Sequence, residues 1–278
     1  MKRFFILSLF LLQGCTSLFF YPTRETVLLP SDLGLKYEDV YFETSDGVRL
    51  HAWDIPPVLE QGETEKGTVL FLHGNAENIS THTFGALWLP LNGYRLFAPD
   101  YRGYGASEGD PSLDGLEKDI NAALKYLTAR GDSPVFVFGQ SLGAALTVST
   151  LAESPYTKKV SAVVIDSGFS STRRIAREKI AMFWLLWPFQ YPLSFLVAEN
   201  DPEGKVEKLK MPKLFLTTKD DTVVPPHHTQ ILYENASEPK ELMIIEKGGH
   251  IRATQDKSAR KKVLELFEKA ARCPESLT

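Results

Sequence analysis

The chain has 278 residues, 43% hydrophobic and 24% charged, the balance of a globular protein and not of a disordered or collagen-like one. Its 31 basic and 35 acidic residues give a net charge of −4, and no basic block offers an electrostatic footprint for nucleic acid. Its two cysteines, Cys15 and Cys273, stand at opposite ends, which excludes a disulfide framework.

Lys2 and Arg3 precede an apolar run from Phe4 to Leu12 that only Ser8 breaks. The run is too short to span a bilayer as a mature helix and suits the apolar region of a signal peptide. It ends in Leu12-Gln13-Gly14-Cys15, which resembles the bacterial lipobox, where cleavage precedes a cysteine that is then acylated. That resemblance implies loss of residues 1–14 and a lipid anchor on Cys15, each buried methylene contributing roughly 0.8 kcal/mol. The expected location is the cell envelope, facing the periplasm or the exterior. Thr16 replaces the Asp associated with inner-membrane retention, which points to the outer membrane where two exist. Residues 15–37 read as the lipidated N-terminus and a tether, 38–272 as the folded domain, and 273–278 as a tail.

Within the domain, Ser45-Asp46-Gly47 joins Tyr37–Thr44 to Val48–Ile55 as a hairpin. Thr68–Leu72 is a short apolar run typical of a strand buried on both faces. A helical segment is expected over Thr83–Leu91, then a strand over Arg95–Ala98. Leu113, Leu116, Ile120, Leu124 and Leu127 recur at helical spacing. Val135–Phe138 reads as a buried strand, and Leu142–Ala152, apolar on nearly all sides, as a helix packed inside the protein. Val160–Ile165, Lys213–Thr217 and Leu242–Ile245 complete the strands, and a last helix runs near Lys257–Ala271. Such alternation predicts an α/β fold with a mainly parallel sheet flanked by helices. Residues 169–210 interrupt it with a basic start (Arg173, Arg174, Arg177, Lys179) and then Phe183, Trp184, Trp187 and Phe189. This is read as a small helical cap over the sheet, its rings either ordinary core or the border of a substrate pocket.

Gly139-Gln140-Ser141-Leu142-Gly143 lies between a buried strand and a buried helix. Its glycines permit the tight turn that lifts a strained serine above the sheet edge. His73-Gly74-Asn75 follows an earlier strand, so the Asn75 amide is positioned to pair with that of Leu142 as an oxyanion hole. His73 is expected to support this loop through hydrogen bonds. Asp221 and His250 follow the strands Lys213–Thr217 and Leu242–Ile245, where an acid and a base would complete a nucleophilic set with Ser141.

Leu72–Asn78 (LHGNAEN), Asp100–Ser107 (DYRGYGAS), Gly139–Gly143, Asp221–Pro226 (DTVVPP) and Gly248-Gly249-His250 together resemble the α/β-hydrolase superfamily, close to the BEM46-like serine hydrolases, over residues 38–272. The resemblance implies acyl transfer to water by Ser141, His250 and Asp221, with no cofactor and no metal. The substrate expected is a small-molecule or lipid carboxyl ester, with Trp184 and Trp187 as candidate substrate contacts. A thioesterase or peptidase on the same residues is the alternative, as is a tethered binding protein of the same fold without turnover. Asp100–Ser107 is read as scaffolding, with Arg102 tying neighbouring loops.

Asp220, beside Asp221, competes as the acid, and Asp166 at the end of an earlier strand is a third candidate. His227 and His228 carry no carboxylate or cysteine at zinc-ligand spacing along the sequence. His51, His82 and Cys273 are read as non-catalytic.

Overall fold

The apolar runs line up as the middle of one eight-stranded sheet in a computed structural model that describes residues 19–131 and 134–272. The lipobox-like stretch that ends at Cys15, with its expected signal peptide, and Cys273 lie outside these residues. Ten strands occur in chain order among the described residues: β1 (Tyr21–Pro22), β2 (Glu38–Glu43), β3 (Arg49–Ile55), β4 (Thr68–Leu72), β5 (Ala76–Glu77), β6 (Arg95–Pro99), β7 (Val135–Gln140), β8 (Val160–Asp166), β9 (Lys213–Thr218) and β10 (Lys240–Ile245). The main sheet runs β2-β3-β6-β4-β7-β8-β9-β10. Strand β3 pairs antiparallel with both neighbours, and every other pair is parallel.

Helices cover both faces, which is why the central strands read as unbroken apolar runs. Seven helices are described: α1 (Ile79–His82), α2 (Leu113–Thr128), α3 (Leu142–Leu151), α4 (Thr172–Ala181), α5 (Gln190–Ser194), α6 (Pro226–Asn235) and α7 (Lys257–Arg272). Leu70 and Leu72 of β4 join one core with Leu116 of α2 and Leu146 of α3. Val69 and Phe71, pointing the other way, join a second core with Val263 and Phe267 of α7. Ser112 caps α2 by accepting from the Gly115 amide. The predicted boundaries hold to within a few residues except at Thr83–Leu91. There the chain makes two separate 3-10 turns, Thr83–Gly85 and Pro90–Asn92, after the single turn α1. Pro90 has no amide to continue a helix, and Gly85 is a weak helix former.

Arg102 performs the tying role expected of it. It donates to both carboxylate oxygens of Asp46 in the β2–β3 turn, each at 3.0 Å, and to Asp119 on α2 at 2.9 Å. Gly105 in the same loop has φ +48°, and a Cβ there would lie 1.9 Å from Asp100 Oδ2. Only glycine fits that backbone.

Residues 19–37 do not hang free of the domain. Phe20 is buried in the first core, β1 pairs with β5, and Asn78 Nδ2 donates to the carbonyls of Thr23 and Glu25. The segment after β8 forms α4, a 3-10 turn at Trp187–Phe189 and α5. Its rings are not core: Trp184 is 81% exposed and Trp187 60%. The ordinary-packing reading fails because the segment turns these side chains away from both cores. Among the described residues no helix is long and apolar enough to cross a membrane.

Candidate active site

Three loops at the carboxyl ends of β7, β9 and β10 bring Ser141, Asp221 and His250 together. Ser141 has φ +53° and ψ −113°, a conformation rarely adopted by non-glycine residues. Its amide donates to Asp166 O at 2.9 Å, and its carbonyl accepts from Ala144 and Ala145, so strand pairing on one side and α3 on the other hold the strained turn. Ser141 Oγ lies 2.9 Å from His250 Nε2, and His250 Nδ1 lies 2.8 Å from Asp221 Oδ2. An ionised Asp221 can only accept, so the imidazole proton sits on Nδ1 and Nε2 is left to accept from the Ser141 hydroxyl. Burial alone would raise the Asp221 carboxyl, but hydrogen bonds from His250 and the Val224 amide hold it below its ordinary value.

Asp220 points elsewhere: its exposed carboxylate accepts from the amides of Gly248 and Gly249 at 3.0 and 2.9 Å, bracing the turn that carries His250. Asp166, the third candidate, accepts from Gln140 Nε2 at 2.9 Å and is pushed up to about 6 by burial. Gln140 also donates to Ile251 O at 3.1 Å, so it bridges the β8 end to the histidine loop.

Leu142 opens α3, where no helical carbonyl can receive its amide. Neither that amide nor the one of Asn75 meets a protein acceptor among the described residues. A Cβ built on Gly74 would lie 3.6 Å from Ser141 Cβ, which sets the Asn75 loop against Ser141. Two tyrosines of the Asp100–Ser107 motif hold that loop, beside the tie that Arg102 makes. Tyr101 donates to His73 O at 3.1 Å and Tyr104 to Asn75 O at 2.7 Å. The spacing of the two tyrosines was visible, but not which carbonyls they would reach.

His73 supports the loop as expected, donating from Nδ1 to Gly74 O at 2.8 Å, and complete burial pushes it down to about 3. The unfolded chain therefore takes up this proton below about pH 6.5 while the native state does not, so stability falls as pH falls through that value. Between pH 7.5 and 5 this one group is expected to cost about 2 kcal/mol, read from urea midpoints at the two pH values. Half-buried His82 and buried His228 act in the same sense and His51 in the opposite one. The difference between wild type and His73→Gln isolates the His73 share, and equal slopes for the two would refute it. His82 lies closer to the site than the sequence implied: its Cε1 is 3.0 Å from a Cβ built on Gly74.

The structure gives His227 and His228 a partner that spacing along the chain does not show. Glu178, far away in sequence on α4, places one carboxylate oxygen 3.0 Å from each Nε2. The Ser170 amide donates to His228 Nδ1 at 3.2 Å, so the His228 proton sits on Nε2 and is given to Glu178. That tautomer turns a proton, not a lone pair, toward the cluster centre. The trio is a hydrogen-bonded clamp between α4 and α6.

A family described as serine aminopeptidase, S33, matches residues 63–195, which include Ser141 but end before Asp221 and His250. The α/β hydrolase domain-containing protein WAV2 of Arabidopsis thaliana is 36% identical over 223 residues, 76% of this chain and 70% of WAV2. Protein bem46 of Schizosaccharomyces pombe is 27% identical over 220 residues, 76% of this chain and 69% of bem46. Among solved structures, the Pyrococcus furiosus esterase Pf2001 superposes with a TM-score of 0.75 at 25% identity, over 90% of this chain and 98% of the esterase.

Proposed function

The chain belongs to the α/β-hydrolases, on their BEM46-like branch, and on that premise we propose that it cleaves carboxyl esters through an acyl-serine. The observation that carries this reading is the unbroken relay from Asp221 through His250 to Ser141. His250 takes the hydroxyl proton as Ser141 Oγ attacks the ester carbonyl, and Asp221 stabilises the imidazolium so formed. The Asn75 and Leu142 amides receive the oxyanion, aided by the dipole of α3. His250 passes its proton to the departing alkoxide. Water, deprotonated by the same histidine, then releases the acid and restores Ser141.

An ester is the first choice because Pf2001 is an esterase and shares this architecture. Peptide hydrolysis is the second reading, since the matched family is named for aminopeptidases. The proposal includes the anchor: cleavage before Cys15, acylation of its thiol, and residence on a membrane of the bacterial cell envelope, facing the periplasm or the exterior. A fluorophosphonate probe should label the full-length protein and not Ser141→Ala, and p-nitrophenyl esters should turn over faster than aminoacyl p-nitroanilides. A wild-type protein that resists the probe would refute serine catalysis, and faster anilide turnover would select the peptidase. In the same cells, a fatty-acid analogue should mark the wild-type chain and not Cys15→Ser.

A further inference from the structure

We propose that the apolar face of residues 182–196 seats the protein on a lipid bilayer, with the Ser141 site opening toward the membrane and its acyl esters. The inference rests on the tethering just proposed and names the surface that meets the lipid.

Chemistry points first to lipid. Met182, Phe183, Trp184, Leu185, Trp187 and Phe195 are each at least 60% exposed, and a soluble monomer rarely leaves so contiguous an apolar patch uncovered. Tryptophan and tyrosine rings suit the headgroup level, where one end is apolar and the other wet. Cations flank the rings. Arg173 lies 5.0 Å over Phe195 and Arg177 5.2 Å over Tyr191. Arg173 is paired with Glu199, whereas Arg177 has no carboxylate partner among the described residues. An arginine lying along apolar surface with its head free matches the phosphates of anionic lipid.

Position points the same way. Lys179, near the end of α4, donates to Thr222 O at 2.9 Å, so the apolar stretch begins beside the loop that carries Asp221. On the other side of the site, Asn75 Nδ2 donates to Phe19 O, and Tyr21, 63% exposed, pairs with Ala76. Cys15 precedes Phe19 by only four residues, a span of at most about 14 Å for a fully extended chain. The backbone of Cys15 therefore cannot stand farther than that from Phe19, which touches the Asn75 loop. The leash, the site and the apolar face all lie at the carboxyl end of the sheet. So short a leash turns that end to the membrane. Trp184 and Trp187, read from sequence as substrate contacts, then meet acyl chains of the bilayer that holds the substrate.

The chain's four tryptophans permit a direct test. Trp53 and Trp88 are buried, so lipid can reach only Trp184 and Trp187. Full-length protein is reconstituted into phosphatidylcholine–phosphatidylglycerol vesicles, with and without bromine on the acyl chains. Brominated lipid should quench up to about half of the tryptophan emission, the share of two rings in four. The double variant Trp184→Phe/Trp187→Phe, shown folded by its melting curve and floating with the vesicles, should lose that quenching. Ser141→Ala should be quenched as the wild type is, whatever becomes of the hydrolase reading. The proposal is overturned if wild-type protein floats with vesicles unquenched, or if the double variant is quenched equally. Emission that depends on protein concentration and not on bromine would assign the face to a second copy of the chain and likewise overturn it.

Discussion

Ser141→Ala is expected to lower kcat by about five to six orders of magnitude, because members of such a relay act as one unit. The fold should survive. Alanine keeps the Cβ that already sits at φ +53°, and only the hydroxyl bonded to His250 disappears. Asp221→Asn should cost about 10⁴-fold, since an amide facing Nδ1 favours the wrong tautomer. Asp220→Asn should cost less than about tenfold, because Asn keeps a side-chain oxygen able to accept from the Gly248 and Gly249 amides. Single-turnover rates with an activated ester measure all three. If Asp220→Asn is the worse of the two acid variants, His250 pairs with Asp220 in solution and the proposed relay is wrong.

Gly143→Ala should be severely damaging, because the atoms nearest its added methyl are backbone and not side chain. A Cβ at this position would lie 2.1 Å from Leu72 O and 2.7 Å from His73 O, both backbone atoms of β4 and the loop after it. Neither can yield without moving the strand, so α3 must shift instead and carry Leu142 with it. Overpacking of this kind costs about 1–3 kcal/mol, and a displacement near 1 Å at the reacting atoms can cost about 10²-fold in rate. Gly85→Ala serves as the control, since a Cβ there meets nothing within 4 Å and its φ is not in the positive range. The expected result is a lowered urea midpoint and an at least hundredfold loss of the proposed ester turnover for Gly143→Ala, with both near wild type for Gly85→Ala. Full activity in Gly143→Ala would mean that the β4–α3 approach is looser than these distances imply.

Much of this protein is decided locally and is legible in its residues. Thr68–Leu72 had to be a strand buried on both faces, because an uninterrupted apolar run has no solvent side to offer. The Leu116, Ile120, Leu124, Leu127 stripe had to be a helix against that sheet, and all four are buried. Gly139–Gly143 forms a strand–turn–helix, since glycines at both ends admit a turn that larger residues block. The placement of Ser141, Asp221 and His250 after β7, β9 and β10 followed from the same alternation.

Other features depend on distances in space that no spacing along the chain encodes. Between Asp220 and Asp221 only the loop's path decides: one carboxylate meets the imidazole and its neighbour braces the Gly248-Gly249 turn. Glu178 reaches His227 and His228 because α4 folds back over α6, a contact between segments about fifty residues apart. Tyr101 and Tyr104 became supports of the Asn75 loop only once β6 lay beside β4 in the sheet. The exposure of Trp184 and Trp187 was undecidable from composition, since an aromatic run reads the same in a core and on a surface. Periodicity reports which face of an element is apolar; the tertiary fold alone determines whether anything packs against it.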